Sequence, residues 1–485
     1  MSHTDSEKIT NADTRIEDIG QRALNDVDYD EEYTYAEQRK IIHRVDRRLV
    51  TITGLAYCVS LMDRTNLSMA AVAGMTKELG LAIGNRYSVM VLIFFVPYVI
   101  FQPPMTVITR KVGPTYFLGT IVILWGAILV GMGFAKNWKH MVATRVLLGL
   151  LEAGYFPGCV YLLSSWYTRF DVQKRFSVFY LIGCVASALA GILAFGLSQM
   201  NGLQGLGGWR WIFIMEGVIT GLIGILTIIF LVDFPDKAYK SWRFLNEKEC
   251  AFIVRRINRD RSDGDEEPFS LKRFLSPGLD PKIWGFAMIF FCTTTVTYAI
   301  AYFLPIILEK GMGFSTAAAQ CLVAPPFAMA GFVMFGTAWV GDKYHVRGAI
   351  VIFNSLLCII GLPMMGFAKG NAVRYVGVFF AVCGANSNIP ATMAYQANNV
   401  RGQWTRAFSS ATLVGFGGIG GIVSSLVFRA EDAPGYRPGM WTTIACNILI
   451  LILVATLSLW FRRSNREAER GERVIEGSPE FRYTL

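Results

Sequence analysis

The chain has 485 residues, of which 53% are hydrophobic and only 17% are charged, and its formal net charge at pH 7 is +10. Because an ordinary soluble domain carries about 25% charged residues, this composition indicates a membrane protein with many spanning segments. The positive charge does not indicate nucleic-acid binding, since Lys and Arg concentrate beside the apolar segments, where cytoplasmic positive charge sets orientation in the membrane.

The N-terminal tail covers residues 1–48; it is acidic and poor in large apolar side chains over residues 1–38 and ends in a basic flank over residues 39–48. Such a segment cannot bury enough apolar surface to fold, so we expect it to be disordered. It lacks the basic start and short apolar core of a cleaved signal peptide, so the first span is expected to act as its own insertion signal.

Twelve apolar stretches of about twenty residues follow, each long enough to cross a bilayer as a helix. Six lie in residues 49–232 and six in residues 283–461, separated by a polar linker over 233–282 and followed by a polar tail over 462–485. Positive charge in the short loops does not decide the orientation, but the linker and both tails place the termini in the cytoplasm. We predict an all-α membrane protein with twelve transmembrane helices in two pseudo-symmetric six-helix bundles, a layout that resembles the major facilitator class of transporters.

The first span carries an acid, a base and an amide inside an apolar segment: Asp63, Arg64 and Asn66. Arg64 lies about fifteen residues into the span, or ~22 Å at ~1.5 Å per residue, in a hydrocarbon core ~30 Å thick. An ionisable group at that depth costs roughly 2.5 to 3.5 kcal/mol unless it faces a protein interior or a water-filled path. Two interpretations remain open, a structural ion pair between helices and a binding site for an anion.

The fourth span carries a second acid and base, Arg145 and Glu152. Their separation of two helical turns places them on one face about 10 Å apart, and Pro157 beyond them can bend the helix. Glu216 in the sixth span adds another carboxylate. A static charge network would explain these residues, but two helices that each supply an acid and a base favour a site for a carboxylate, which Arg binds by two parallel hydrogen bonds. A carboxyl group whose protonation depends on occupancy of the Arg would couple transport to protons.

The second group of spans carries little formal charge but several phenols and amides: Tyr298, Tyr302, Asn386 and Asn388. These groups suit the orientation of a small polar or aromatic ligand, and interhelical hydrogen bonding is an equally good explanation for any one of them.

Glycines and prolines mark further features of the helices. In the second span, Gln102 beside Pro103 and Pro104 predicts a broken helix whose freed backbone groups line a cavity. The fifth and eleventh spans are rich in glycine, which predicts close helix packing at Gly183, Gly191, Gly196, Gly415, Gly417, Gly418, Gly420 and Gly421.

The loop after the eighth span, residues 341–347, resembles the loop motif of the major facilitator superfamily and assigns a gating role to Asp342, Lys343 and Arg347. The corresponding loop after the second span, residues 109–113, keeps basic residues but contains no Asp. The first copy of the motif is therefore degenerate.

Several motifs together resemble the anion:cation symporter branch of this superfamily and, within it, the fungal allantoate permease group, which includes nicotinate permeases. They are residues 63–67, residues 145–158, residues 165–167 followed by Lys174 and Arg175, and residues 208–211 with Glu216. The resemblance implies proton-coupled uptake of small organic anions, with Arg64 and Arg145 as substrate contacts and Glu152 as the proton-coupling group. Animal relatives often carry an Arg in the seventh span, where this sequence has tyrosines, so the anchor in the second half stays open.

We therefore predict a monomeric, multi-pass plasma-membrane symporter that moves a small monocarboxylate, such as nicotinate or allantoate, with protons by alternating access. Substrate binding is assigned to Arg64, Asn66, Arg145, Gln102, Tyr298, Tyr302, Asn386 and Asn388. Proton coupling is assigned to Glu152, Asp63 and Glu216.

No cofactor or metal is expected, since the nine cysteines form no CxxC pair and the four histidines lie outside or at the edges of the spans. Three alternatives compete with this prediction. An exporter of a secondary metabolite would use the same fold, and a nutrient receptor would usually carry a longer structured tail. An enzyme is disfavoured because no nucleophile, metal cluster or phosphate loop stands out.

Overall fold

Long apolar stretches form helices of membrane length throughout the chain. The computed structural model describes residues 33–476 and 481–485, except 168, 261–274, 345, 402, 429–431 and 433–434. The first half contains α1 Tyr35–Val45, α2 Thr51–Ala70, α3 Arg86–Val112, α4 Pro114–Gly133, α5 Trp138–Glu152, α6 Tyr155–Trp166, α7 Arg169–Ser198 and α8 Gly208–Phe230. The linker contains α9 Glu247–Asp260, and the second half contains α10 Pro281–Ile306, α11 Ala324–Tyr344, α12 Gly348–Phe367, α13 Asn371–Asn398, α14 Gln403–Val427 and α15 Arg437–Glu469.

Within the described residues, eleven helical segments are long and apolar enough to cross a membrane, with α5 and α6 forming one crossing over Trp138–Trp166. The remaining predicted span is α2, whose length fits but whose polar residues Asp63, Arg64 and Asn66 lower its hydropathy. Those three side chains are buried among other helices, so α2 does not need an apolar surface at their positions. With α2, the predicted twelve-helix architecture is confirmed.

Small residues bring helices together within each half. A Cβ added at Gly126 of α4 would lie 2.8 Å from the Gly221 nitrogen and 2.9 Å from the Gly217 oxygen of α8. A Cβ at Gly361 of α12 would lie 2.6 Å from the Gly377 oxygen of α13. Neither position can hold a larger residue without moving a helix, which is how close packing is achieved in membranes.

The two halves meet along α2 with α10, α3 with α14, and α7 with α11. Glycines lie at this interface, because an added Cβ at Gly191 would overlap the backbone of Gln320, and one at Gly421 would overlap the Phe95 ring. The predicted close packing is confirmed at these positions, whereas Gly196 and Gly415 have open space around them.

We call the end of the bundle at which α2 begins and α15 ends the terminal face, and the opposite end the distal face. At the terminal face α1 lies beside α9, with Arg44 paired to Glu249 and the Tyr33 and Phe252 rings 5.3 Å apart. The predicted disorder of residues 1–48 is therefore wrong for Tyr35–Val45, and residues 1–32 lie outside the described part. A helix forms there because its apolar face is buried by the cluster that also contains linker residues.

The predicted break in the second span is also wrong. Helix α3 runs without interruption through Pro103 and Pro104, since the fixed φ of proline is helical and packing against α5 and α14 holds the segment together. The fourth span is interrupted at residues 153–154, between α5 and α6, and Pro157 lies in the first turn of α6. A bend of the helix at Pro157 stays a prediction.

The tail after α15 folds back onto the terminal face of the second half. Asn465 and Tyr483 exchange two hydrogen bonds of 2.8 and 2.9 Å, and Asn399 exchanges two with Thr484 of 2.8 and 3.1 Å. The Tyr483 ring stacks on Phe461 with centroids 4.4 Å apart. We call residues 481–485 the tail staple.

Candidate functional site

Arg64 of α2 lies at the meeting point of the two halves, with its side chain only 6% exposed. Its Nε and Nη2 donate to Oε2 of Glu152 on α5, each at 3.3 Å. Its Nη1 donates to the hydroxyl of Tyr298 on α10 at 3.0 Å. The guanidinium therefore joins an acid of its own half to a phenol of the opposite half.

Two aromatic rings of α3 flank this guanidinium. The Arg64 Cζ lies 4.9 Å from the Tyr98 ring centroid and 5.6 Å from that of Phe94. Such cation–π contacts contribute about 0.5 to 2 kcal/mol and fix the plane of the guanidinium. Sequence reasoning missed both rings, although their spacing of four residues places them on one face of a helix and was a usable signal.

Glu152 is the last residue of α5, directly before the interruption of the fourth span. Its side chain is fully buried, and Oε2 also accepts a hydrogen bond of 3.0 Å from the Ser60 hydroxyl. Its Oε1 has no hydrogen-bond partner within the described residues. Ser60 was also missed, although it lies one helical turn before Arg64 and so shares its face.

Three more charged side chains are buried in the first half, namely Asp63, Arg145 and Glu216, each no more than 3% exposed. In the described part of the chain, none of them has a salt-bridge partner within 4 Å, and both carboxylates lack a well-aligned hydrogen bond. Asp63 interacts electrostatically with Glu152 and Arg145 and lies beside the Trp125 indole. Glu216 interacts electrostatically with Asp63. Together with Arg64 and Glu152 they form one set, which we call the buried charge set.

A cavity of about 40 Å³ adjoins Arg64, and we call it the inner cavity. Both halves line it, and the residues that carry polar groups are Arg64, Thr65, Tyr180, Thr297, Tyr298, Tyr302 and Asn386. The predicted substrate residues Arg64, Tyr298, Tyr302 and Asn386 are therefore brought together at one space.

Other predicted substrate residues lie away from that space. The Asn388 amide donates to the Ser355 hydroxyl of α12 at 2.9 Å, which agrees with the alternative explanation of this residue by interhelical hydrogen bonding. Asn66, Gln102 and Arg145 are buried but do not line the inner cavity. The Nε and Nη2 atoms of Arg145 have no hydrogen-bond partner in the described part of the chain. No cluster of three or more His, Cys, Asp or Glu among the described residues could hold a metal ion.

The predicted gating loop lies at the terminal face between α11 and α12. The Arg347 N–H donates to the Leu485 carbonyl of the tail staple at 2.7 Å. The Lys343 ammonium lies 4.9 Å from the Trp339 ring centroid. The side chain of Asp342 lies outside the described part, and the gating role of this loop stays a prediction.

Comparisons with known proteins agree with this architecture. Residues 53–425 match the Major Facilitator Superfamily. The chain is 30% identical over 504 residues to the major facilitator-type transporter hxnP of Emericella nidulans, with 99% of each chain covered. It is 27% identical over 461 residues to the high-affinity nicotinic acid transporter of Saccharomyces cerevisiae, with 92% of this chain and 85% of that protein covered.

A solved structure shares the fold. The xylose transporter XylE from E. coli, in a partially occluded inward open conformation, superposes with a TM-score of 0.64 over 87% of this chain and 99% of that one, at 13% identity. These matches span both halves and agree with the helix order described above. The chain therefore belongs to the Major Facilitator Superfamily and is a membrane transporter rather than an enzyme.

Proposed function

We propose that this protein is a monomeric proton-coupled symporter that takes up a small organic monocarboxylate, such as nicotinate or allantoate, across the plasma membrane by alternating access. The observation that carries the proposal is the placement of Arg64 between the Glu152 carboxylate and the Tyr298 hydroxyl at the wall of the inner cavity. A guanidinium donates to a carboxylate through two parallel bonds, so Arg64 is the natural anchor for the carboxylate of a substrate.

Glu152 and the substrate would compete for the same donors. When a substrate carboxylate takes the Nε and Nη2 bonds of Arg64, the Glu152 carboxylate loses its counter-charge inside a site that excludes water. A buried unpaired carboxylate is costly, and protonation of Glu152 removes that cost. Binding of the anion and uptake of a proton are then linked.

The buried charge set supports this linkage. It contains three carboxyl groups and two guanidinium groups, which sum to −1 when all are ionised. The set becomes neutral when one carboxyl group carries a proton, and an added substrate anion calls for a second proton. We propose that these two protons are carried within the group of three carboxyl groups formed by Glu152, Asp63 and Glu216.

The second half supplies neutral groups that would orient the rest of the substrate. Asn386 and Tyr298 line the inner cavity, and the centroid of the Phe95 ring lies 5.2 Å from that of Tyr298. Flat aromatic walls suit a planar ring, and the related nicotinic acid transporter of yeast carries an aromatic carboxylate by name. We propose that the termini are cytoplasmic and the distal face is external.

Uptake measurements test the proposal. Cells that express the protein are given labelled small carboxylates, including nicotinate and allantoate, with and without a protonophore. We expect uptake of at least one compound, its loss with the protonophore, and its loss in both Arg64→Ala and Glu152→Gln. Arg463→Ala serves as the control, because that side chain is 82% exposed at the terminal face. Normal uptake by both site variants at the cell surface would overturn the assignment.

A further inference from the structure

Two cavities follow one another along α10, separated by a single layer of side chains. The inner cavity is lined by Ala301 and Tyr302, and a second cavity of about 70 Å³ is lined by Phe303 and Ile306. We call the second one the outer cavity. Because a helix rises ~1.5 Å per residue, the change from one lining to the other takes place within one residue of α10.

The layer between the cavities is built by Tyr87 of α3 and residues 302–303 of α10. The Tyr87 hydroxyl donates to the Tyr302 carbonyl at 3.1 Å, and the Tyr87 and Phe303 rings meet edge to face at 5.6 Å. Both tyrosines are buried, at 8% and 1% exposure. Since Tyr87 belongs to the first half and Tyr302 to the second, this contact must open when the halves separate at the distal face.

Two neighbouring hydrogen bonds also join the halves beside the contact of Tyr87 with Tyr302. The Ser68 hydroxyl donates to the Ala301 carbonyl at 3.5 Å, and the Gln320 amide donates to the Met69 carbonyl at 3.2 Å. Each of these bonds also joins the first half to the second. The distal closure is thus a ring of side chain to backbone bonds, in which Tyr87 lies directly between the two cavities.

The outer cavity is lined by one cation, one carboxylate and several neutral polar groups. Lys310 lines it, and its ammonium has no carboxylate within ion-pair distance among the described residues. Ser88, Thr76 and Asn85 add hydroxyl and amide groups. The one carboxylate in the lining, Glu309, accepts a hydrogen bond of 2.8 Å from the Thr316 hydroxyl.

We propose that the outer cavity is a vestibular binding site for the same class of small organic anion, and that the contact of Tyr87 with Tyr302 is the gate to the inner cavity. The identity of the anion depends on the function proposed above. The gate does not depend on it, because its opening can be measured without substrate.

The gate is tested by reagent access. In a variant that lacks the nine native cysteines, Thr297→Cys places a thiol in the inner cavity, one turn below the gate. We expect Tyr87→Phe to raise the rate of labelling by a membrane-impermeant thiol reagent about fivefold, the factor for one hydrogen bond. Ser68→Ala is expected to change the rate in the same direction by less.

Tyr375→Phe is the matched control. Its hydroxyl also donates to a backbone carbonyl, that of Leu322 at 2.8 Å, but both residues belong to the second half. We expect no change in labelling for this variant. Equal labelling rates in Tyr87→Phe and Tyr375→Phe would overturn the gate.

The vestibular site is tested with Lys310→Gln, which should raise the substrate concentration for half-maximal uptake without lowering the maximal rate. The effect should shrink as salt is added, because salt screens an exposed charge. Lys369→Gln, an exposed lysine of the loop between α12 and α13 outside both cavities, is the control. Equal effects of the two variants would overturn the vestibular site. If no carboxylate were taken up, both the vestibular site and the proposed function would be overturned. The gate would still be decided by the labelling rates, because that experiment uses no substrate.

Discussion

The two halves of this transporter bury different kinds of polar group. The first half holds the buried charge set near the middle of the bundle, with Arg64 and Glu152 in contact. The second half buries hydroxyls and amides there, and its buried cations Lys282 and Arg347 lie at the terminal face. Lys282 is neutralised by Asp280 at 3.3 Å and by Glu476.

This difference has a physical consequence for how the halves contribute to transport. Charged groups in a medium of low dielectric interact strongly, so the first half is suited to hold an anion and to exchange protons. Neutral amides and hydroxyls interact weakly but directionally, so the second half is suited to shape and orientation. Four predictions test this division, beginning with the largest expected effect.

Removing one member of the central ion pair should have the largest effect. Arg64→Leu leaves Glu152 buried without a counter-charge, so we expect the free energy of unfolding to fall by about 3 to 5 kcal/mol. The double variant Arg64→Leu with Glu152→Leu should lose less than the single one. In the second half, Asn388→Leu removes only a neutral hydrogen bond and should cost about 1 kcal/mol. Thermal unfolding in detergent measures all three, and additive losses in the double variant would contradict the pairing.

A substitution at the contact between the halves should have the second largest effect on stability. Gly421→Ala places a methyl group of α14 against the Phe95 ring of α3, which should destabilise the conformation described here by about 1 to 3 kcal/mol. Gly415→Ala, in the same helix but facing open space, should stay within about 0.5 kcal/mol. Midpoints of thermal unfolding check both variants. Equal unfolding midpoints of the two variants would show that the halves adjust to the added methyl group without loss of stability.

A neutral group of the inner cavity should affect substrate binding alone. Asn386→Ala removes one hydrogen-bonding group, so we expect about a fivefold rise in the concentration for half-maximal uptake. The pH dependence of uptake should be unchanged, because the buried charge set is intact. A shifted pH profile in Asn386→Ala would place proton coupling partly in the second half.

An ion pair of the first half outside the core should have the smallest effect. Glu78 accepts hydrogen bonds of 2.6 Å from both Arg210 and Trp209 at the distal face. Partial burial opposes ionisation, but the bonds from Arg210 and Trp209 outweigh it and hold the pKa of Glu78 below its ordinary value of 4.5. A lowered pKa stabilises the fold above that value, and this stabilisation is lost as the pH falls through the lowered pKa.

Glu78→Gln should therefore melt slightly below the wild type at pH 7, and the difference should vanish as the pH falls below 4.5. The exposure of this carboxylate, 45% of its side chain, keeps the effect small. A difference that grows towards acid pH would show that Glu78 is not ionised in the fold.

The helix order could be predicted from the sequence because each span is a long apolar stretch between polar segments. The important polar residues of α2 and α5 could also be found, since charges at membrane depth are rare. Their pairing could not be predicted. Arg145 and Glu152 share a face of one helix, yet Glu152 contacts Arg64, because the rotation of α2 against α5 is set by packing that the sequence does not state.

Two other features were beyond sequence reasoning for different reasons. Helix α1 is polar overall and gains its stability from linker residues about two hundred positions away, as the pairing of Arg44 with Glu249 shows. Tyr87 lies near the start of a span, where an aromatic residue normally marks the membrane interface. Only the position of α10 shows that it also separates two cavities.

The tail staple has a consequence for biosynthesis. Its residues are translated after all six helices of the second half, so Asn399 and Asn465 wait for their partners until the last helix has been inserted. A chain shortened before residue 481 would leave these two amides and the Phe461 ring exposed at the terminal face. The staple can therefore form only after residues 481–485 have been translated, when all six helices of the second half have already been made.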